Sequence, residues 1–185
     1  MKIHDLLIYE LIKPDKSGKP MGEIIKIVGT ARIEYGLEQS IVYHDFRKIV
    51  GVDSIQSDEM SPDIVVTRTE STPEERKVGQ HKVVIELETD VDFDFGASLR
   101  QVNRYKIQFA DVRVIIPSEY GKFAPLYKNE GYRIYLWKTI RKWQCSRCGN
   151  ETKTVGRIPP RCKKCRKRTE HILVGLGDTH FTEFL

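Results

Sequence analysis

Two glutamates in a short apolar run are the first residues of this chain that could carry out chemistry. The run Lys82–Glu88 reads Lys-Val-Val-Ile-Glu-Leu-Glu. In a β-strand successive side chains point to opposite faces, so Glu86 and Glu88 would share one face with their Cβ atoms about 7 Å apart. Buried carboxylates need protons, hydrogen-bond partners or a cation. Mg²⁺ or Mn²⁺ with oxygen ligands meets that need, whereas a half-exposed polar face needs no metal.

A third carboxylate precedes this run. Asp63 stands between Pro62 and an apolar stretch that predicts a strand, and a proline at the start of a strand removes no interior ladder bond. Residues 70–81 are charged and turn-like, so the two strands are predicted to pair as a hairpin. The hairpin would place Asp63 beside Glu86 and Glu88. Three carboxylates from two adjacent strands predict a metal site.

The four cysteines form a second candidate metal site. They are arranged as two CxxC pairs, Cys145–Cys148 and Cys162–Cys165, separated by 13 residues. Each pair could hold one ion from adjacent backbone turns, and four thiolates match the tetrahedral coordination of Zn²⁺. Gly149 follows the first pair and fits a tight turn there. Disulfides, which a reducing cytosol disfavours, and an iron centre of the rubredoxin kind are the alternatives.

The charge of the chain is unevenly distributed. Residues 138–185 hold 12 Lys and Arg against 4 Asp and Glu, whereas residues 1–137 hold 19 against 22. A basic tail on an acidic body predicts that the tail contacts phosphate and the body holds cations, although the charge could also simply solvate a small tail domain. The basic side chains grouped around the second cysteine pair, with Trp143 nearby, are Arg161, Lys163, Lys164, Arg166, Lys167 and Arg168.

Length and hydropathy narrow the class of protein. A chain of 185 residues can form one core and a small appendage. Its apolar runs are far shorter than the roughly 18 residues of a membrane span. An acid at position 5 is unlike the start of a signal peptide. We therefore expect a cytoplasmic protein with no membrane association.

The elements that would position these residues follow from the apolar patterns. Residues 3–13 fit either a helix or a strand, and residues 21–52 are predicted to be mostly strands. The later segments predict strand, helix, strand, helix and strand, which is an α/β fold with a partly parallel sheet. From the glutamate strand onward these are a helix over 97–109, a strand over 111–117, a helix over 120–129 capped by Gly131 and a last strand over 132–137.

The order of these parts resembles the PD-(D/E)XK nuclease superfamily. The resemblance covers about residues 60–137 and lies in Pro62-Asp63, in Glu86-Leu87-Glu88, and in Gln101 and Tyr105, which have the QxxxY form of RecB-type members. It implies a restriction-endonuclease-like mixed sheet flanked by helices over residues 1–140. A small zinc ribbon with a C-terminal tail would follow over residues 141–185.

The resemblance also implies roles for the site residues. Asp63 and Glu86 would bind Mg²⁺ or Mn²⁺, with the Leu87 carbonyl as a further ligand. Gln101 and Tyr105 would orient the substrate or the metal-bound water, although one polar and one core residue on an ordinary helix face fit the same spacing. Glu10, Glu23 and Glu34 are the candidates for the additional N-terminal acid that is common in the superfamily.

Glu88 departs from the superfamily pattern, because most members have lysine at this position. A glutamate cannot supply the positive charge that polarises the attacking water. Glu88 could instead bind a second metal or act as the general base, since some restriction enzymes of the superfamily carry glutamate here. Lys82 or Lys106 could supply a displaced positive charge. Otherwise, the change marks a member that binds DNA without cutting it.

Together these patterns predict a Mg²⁺-dependent deoxyribonuclease, an endonuclease rather than an exonuclease. Its zinc ribbon would hold DNA through Lys163, Lys164, Arg166, Lys167 and Arg168. The alternative is a non-catalytic DNA-binding or complex-assembly factor that keeps the fold, and RNA remains open as a substrate. A homodimer would suit double-strand cutting, although no residue specifies one. The ribbon or the tail could also dock a protein partner.

Overall fold

The computed structural model describes residues 3–13, 27, 39–43, 62–71, 78–91, 93–156 and 158–185. The segment 3–13, whose pattern fits either a helix or a strand, is helical over Ile3–Ile12. The described elements in chain order are α1 (Ile3–Ile12), β1 (Gln39–Tyr43), β2 (Ile64–Ser71), β3 (Val78–Leu87), α2 (Phe95–Gln108), β4 (Asp111–Pro117), a 3₁₀ helix (Ser118–Phe123), α3 (Ala124–Asn129), β5 (Arg133–Cys145), β6 (Glu151–Val155) and β7 (His171–Glu183).

The strands form one mixed sheet in the order β1-β2-β3-β4-β5-β6, with β7 also paired to β5. Strands β1, β2 and β3 are antiparallel, whereas β3, β4 and β5 are parallel. Parallel neighbours need a crossover connection, and helices α2 and α3 provide the two crossovers. The α/β class and the partly parallel sheet are therefore confirmed.

Side-chain alternation along β3 divides the core between the two faces of the sheet. Ile85 packs in one buried cluster with Leu7 and Leu11 of α1. Val84 packs in the other cluster with Val102 of α2. Each fully buried aliphatic side chain contributes about 1.5–3 kcal/mol. Because Glu86 follows the same alternation, its side chain belongs to the face that α2 covers.

Several predicted boundaries are wrong. The segment read as turn-like, residues 70–81, is partly strand, because β2 extends to Ser71 and β3 begins at Val78. Backbone pairing in a hairpin continues regardless of side-chain polarity. The helix predicted over 120–129 is a 3₁₀ helix followed by α3. Gly131 caps it as predicted, with φ +82° and its N–H bonded to the Lys128 carbonyl.

The largest correction concerns the strand predicted to end at residue 137. Strand β5 runs on to Cys145, and two further strands follow it. The extension was missed because two of its alternate buried side chains, Thr139 and Arg141, are polar. The predicted domain boundary after residue 140 falls inside β5, and the division into two domains stays a prediction. No described helix is long and apolar enough to cross a membrane.

Candidate functional site

The hairpin of β2 and β3 brings Asp63 to Glu86. Ile64 pairs with Ile85 in antiparallel register, so Asp63, which precedes Ile64, lies opposite Glu86, which follows Ile85. The Asp63 backbone N–H donates a hydrogen bond to the Glu86 carboxylate. Asp63 Oδ2 in turn accepts a hydrogen bond of 2.7 Å from the Leu87 backbone N–H. The predicted pairing of the two strands is confirmed, and it places two of the predicted acids side by side.

Helix α2 supplies the partners of the Glu86 carboxylate. Gln101 Nε2 lies 2.7 Å from Glu86 Oε1 and 2.7 Å from the Tyr105 hydroxyl, which also hydrogen-bonds the Glu86 carboxylate. The helix begins at a well-formed N-cap, because Asp94 Oδ1 accepts from the backbone N–H groups of Gly96 and Ala97 at 2.8 and 3.1 Å. The structure therefore places Gln101 and Tyr105 beside Glu86, and their role toward substrate or water stays a prediction.

Glu86 is the most constrained carboxylate of the site. It is 5% exposed, and its Oε2 atom is buried with no hydrogen-bond partner among the described residues. Burial, with the charges of Asp63 and Glu88, raises the pKa of Glu86 well above its usual range. The hydrogen bonds from the Asp63 amide and Tyr105 oppose this change. A buried carboxylate with one unpartnered oxygen would be stabilised by a proton or by a cation.

Glu88 lies at the edge of the same group. Burial raises the pKa of Glu88, and the charges of Asp63 and Asp94 add to the increase. A hydrogen bond from Ser98 and the charge of His4 act in the opposite direction. The Glu88 backbone is held as well, because its carbonyl accepts a 2.7 Å hydrogen bond from Trp137 Nε1. Glu88 therefore lies at a fixed strand end beside Asp63 and Glu86. These three carboxylates are called the acidic site below.

His4 is a site residue that sequence reasoning missed. Its Nε2 atom lies 3.0 Å from Asp63 Oδ1, and its Nδ1 atom lies 3.5 Å from Asp5 Oδ1. Burial alone would lower the pKa of His4, but the hydrogen bonds and charges of the two aspartates raise it above its usual value. Only the packing of α1 against the sheet reveals this contact, since 59 residues separate the partners.

Two of the other candidates for the site, Glu10 and Lys106, are engaged elsewhere. Glu10 forms an ion pair with Lys13 on its own helix. Lys106 donates to the Glu130 carbonyl and lies over the Tyr132 ring, 4.5 Å from its centroid. It is therefore not placed to replace a lysine at position 88. Glu23, Glu34 and the Lys82 side chain lie outside the described part of the structure.

The carboxylates do not converge on one point. Asp63 directs its two oxygens to the Leu87 N–H and to His4. Among the described residues, the cysteine set alone has three or more His, Cys, Asp or Glu ligand atoms all within 4.8 Å of one another. Within the described part of the chain, the acidic site thus has suitable ligand types and an orphaned oxygen, but not a preformed cage for Mg²⁺.

The four cysteines do form a compact cluster. Cys145 and Cys162 are buried, Cys148 and Cys165 are partly buried, and all four are free thiols rather than disulfides. The Sγ atoms of Cys148 and Cys162 are 3.5 Å apart, and those of Cys145 and Cys165 are 4.0 Å apart. Four thiols at such distances could hold a metal such as zinc, as the spacing predicts.

Hydrogen bonding modifies the acidity of the cluster. A hydrogen bond from Thr169 Oγ1, 3.1 Å from Cys145 Sγ, lowers the pKa of Cys145 to about 6. Backbone N–H groups, chiefly that of Cys165, lower the pKa of Cys162. The Asn150 amide favours the Cys148 thiolate, but burial and bonding to the other thiols raise the Cys148 pKa to about 11. The lowered pKa values of Cys145 and Cys162 favour their thiolate forms, which are the forms that bind metals.

Two equivalent turns present these cysteines. Gly149 has φ +67° and donates its N–H to the Cys145 carbonyl at 2.9 Å, so the predicted tight turn is confirmed. Arg166 has φ +56° and donates in the same way to Cys162 at 2.9 Å. The second turn therefore repeats the first, with an arginine in the conformation that favours glycine.

The basic side chains around the second turn are available to a partner. Trp143, in contrast, is 6% exposed and donates its Nε1–H to Thr154 Oγ1 at 2.8 Å, so it belongs to the interior. An exposed group of six like charges on a small module could contact phosphates without reading sequence. The exposed basic residues are Arg161, Lys163, Lys164, Arg166, Lys167 and Arg168.

Comparisons of the chain with protein-family models, curated proteins and solved structures find no match. The acidic site and the cysteine cluster are both connected to strand β5, which contacts Glu88 through Trp137 and carries Cys145 at its end.

Proposed function

We propose that this protein is a metal-dependent nuclease of the PD-(D/E)XK kind, with a zinc ribbon that holds DNA. One observation carries the proposal: Asp63 and Glu86 lie side by side at two strand ends, and Glu86 keeps a buried oxygen with no hydrogen-bond partner among the described residues. Gln101 and Tyr105 support the same carboxylate from α2. The resemblance to the PD-(D/E)XK superfamily assigns metal binding to the same two carboxylates, Asp63 and Glu86.

The chemistry of the acidic site fits a hard divalent cation. Asp63, Glu86 and the Leu87 carbonyl would hold Mg²⁺ or Mn²⁺, and His4 would either join them or orient Asp63. When bound, the ion would neutralise the scissile phosphate and activate water. Gln101 and Tyr105 fix the orientation of Glu86. An acidic pocket would thereby acquire affinity for an anionic substrate.

Glu88 fits the role of general base. Its pKa is raised by burial, and a base works best when its pKa lies near the working pH. Its carboxylate would accept the proton of the attacking water. The hydrogen bond from Ser98 would keep the carboxylate in position. In this arrangement Glu88 stands where most superfamily members have lysine, and it would activate the water by accepting a proton instead of by supplying a positive charge.

The cysteine cluster would contribute binding rather than chemistry. Zinc would stabilise the two turns, because so small a module has little core of its own. The exposed basic side chains would then contact the sugar-phosphate backbone, with an affinity that falls as salt rises. A homodimer and a protein partner for the ribbon stay predictions.

The test is cleavage of labelled single-stranded, duplex and branched DNA with Mg²⁺ or Mn²⁺. We expect metal-dependent cutting by the wild type and losses of at least about 100-fold in Asp63→Asn, Glu86→Gln and Glu88→Gln. Glu119→Gln is the matched control, because Glu119 is an exposed carboxylate on the 3₁₀ helix. Equal cutting by Glu86→Gln and Glu119→Gln would contradict the assignment of the site.

A non-catalytic DNA-binding or assembly factor is the second candidate. It is favoured by the two hydrogen bonds that hold the Asp63 oxygens away from a common metal position. In that case the wild type would bind DNA with a salt-dependent affinity and would cut none of the substrates with either metal. Loss of binding after neutralisation of the ribbon charges would then make the ribbon the functional part.

A further inference from the structure

The acidic site and the ribbon project from the same end of the sheet. Strands β3, β4 and β5 are parallel, and Leu87, Ile115 and Tyr135 lie level with one another across them. Glu88 is therefore level with the residue before Trp137, which donates its Nε1–H to the Glu88 carbonyl. Everything that β5 adds beyond this level extends outward from the acidic end of the sheet.

Strand β5 does not extend alone. Strand β7 pairs with it along its length, from Tyr135 opposite Glu183 to Cys145 opposite His171. Strand β6 pairs with the outer half of β5, Ile140–Gln144. The three strands form an arm with both cysteine turns at its tip. After the last pair the chain returns to the α/β sheet, where the Phe184 N–H donates to the Ile134 carbonyl. The arm is therefore a continuation of the sheet and not a module on a flexible linker.

The base of the arm is braced against the segment that follows Glu88. Arg141 is buried and forms an ion pair with Asp90. Its guanidinium also lies over the Trp137 ring, 5.8 Å from the centroid. Together with the Trp137–Glu88 hydrogen bond, these contacts connect the first residues of the arm to the loop after β3. The arm therefore has a defined position relative to the acidic site.

The length of the arm follows from strand geometry. Nine residues from the level of Glu88 to Cys145, at about 3.3 Å each, give at most about 30 Å. Two register irregularities, between Thr139 and Arg141 and between Lys142 and Trp143, bend the arm and shorten this distance. In duplex DNA each strand advances about 3.4 Å per phosphate along the helix axis. The tip would reach between about six and nine phosphates from a bond held at the acidic site.

We propose that the arm is a spacer, so that the ribbon binds the nucleic-acid backbone about six to nine nucleotides from the scissile bond, on one side of it. This inference rests on the proposed nuclease function and specifies its substrate: a duplex that continues at least that far beyond the cut. Phosphate contact at the tip comes from the exposed basic side chains, and cutting position is set by the length of β5.

The experiment is phosphate-ethylation interference with Glu86→Gln protein, mapped against the bond that the wild type cuts. We expect a cluster of interfering phosphates about six to nine nucleotides from that bond, on one side. Combining Glu86→Gln with glutamine at the five tip positions should erase the cluster and weaken binding at least about tenfold at 0.1 M salt. The tip positions are Lys163, Lys164, Arg166, Lys167 and Arg168.

The matched control replaces three exposed basic residues away from the tip, Arg104, Lys128 and Arg133, by glutamine in the same Glu86→Gln protein. It should keep the distant cluster. Cutting by the wild type with interference confined to about three phosphates around the bond would overturn the spacer while leaving the nuclease intact. No cutting by the wild type would reject the nuclease and the spacer together.

Discussion

At the scale of single residues, the buried carboxyl of Glu86 predicts an unusual dependence of stability on pH. Its raised pKa means that the folded state holds this proton at pH values where the unfolded chain, with a pKa of about 4.3, has lost it. Without added Mg²⁺ or Mn²⁺, stability should fall as the pH rises through the raised pKa. Glu86→Gln should remove that loss. Each kcal/mol by which the free energies of unfolding of variant and wild type differ should change Tm by about 2–4 °C.

The measurement is thermal unfolding of zinc-loaded wild type and Glu86→Gln between pH 5 and pH 8. We expect the advantage of the variant to grow with pH, because the wild-type carboxylate becomes charged in a buried position. Glu119→Gln, an exposed carboxylate replaced in the same way, should differ from wild type by a constant amount. Parallel pH profiles for wild type and Glu86→Gln would contradict the burial argument.

The histidine beside Asp63 predicts a second titration. The two aspartates near His4 raise its pKa above 6.5, so their stabilising contribution is full below about pH 6.5 and is lost as the pH rises through the raised value. In an NMR titration, Asp63→Asn should lower the pKa of His4. Asp5→Asn should lower it less, because Asp5 is 41% exposed against 18% for Asp63. Equal effects would contradict the assigned contact.

At the scale of elements, the two cysteine turns predict a matched pair of substitutions. A Cβ at Gly149 would meet nothing within 4 Å, so Gly149→Ala adds only backbone strain, about 1–2 kcal/mol at φ +67°. Arg166→Ala adds none, because a residue with a Cβ already occupies that conformation. Competition with a chromophoric chelator should show zinc affinity about 5–30-fold weaker for Gly149→Ala alone. Similar losses in both variants would argue against strain.

The sequence predicted the elements whose signals are local. The short apolar run over residues 83–87 and the proline that ends β4 mark two strands, and the CxxC spacing marks the cysteine turns. The hairpin then follows, because two consecutive strands joined by a short polar segment pair readily. This reasoning placed Asp63 beside Glu86, as the register of β2 and β3 confirms.

The sequence did not predict features that depend on packing between distant segments. His4 reaches Asp63 only because Leu7 and Leu11 seat α1 against the sheet. The outer half of β5 was not predicted because a charged residue such as Arg141 is expected to be exposed. Its burial is explained only by the ion pair with Asp90. In both cases the informative contact joins residues more than 50 positions apart.

At the scale of the whole molecule, removal of zinc should separate the behaviour of the arm from that of the core. The two apolar clusters lie on the faces of the α/β sheet, whereas the tip of the arm depends on the cysteine cluster. Hydrogen exchange after chelation should increase at the amides of residues 143–156 and 158–172. Protection of β3 and β4 should persist. Loss of protection in all strands at once would contradict an independent core.

Strand β5 has two sets of neighbours, and this sharing has a consequence for folding kinetics. Its inner half pairs with β4, which is close in sequence, whereas β7 must return from as far as Glu183 to meet Tyr135. Contacts between distant residues close long loops and form slowly. We expect the pairing of β3, β4 and β5 to form first and the pairing of β7 with β5 to form last. An ion captured by the cysteines would shorten the remaining loop, so zinc would accelerate the final step of folding as well as stabilise its product.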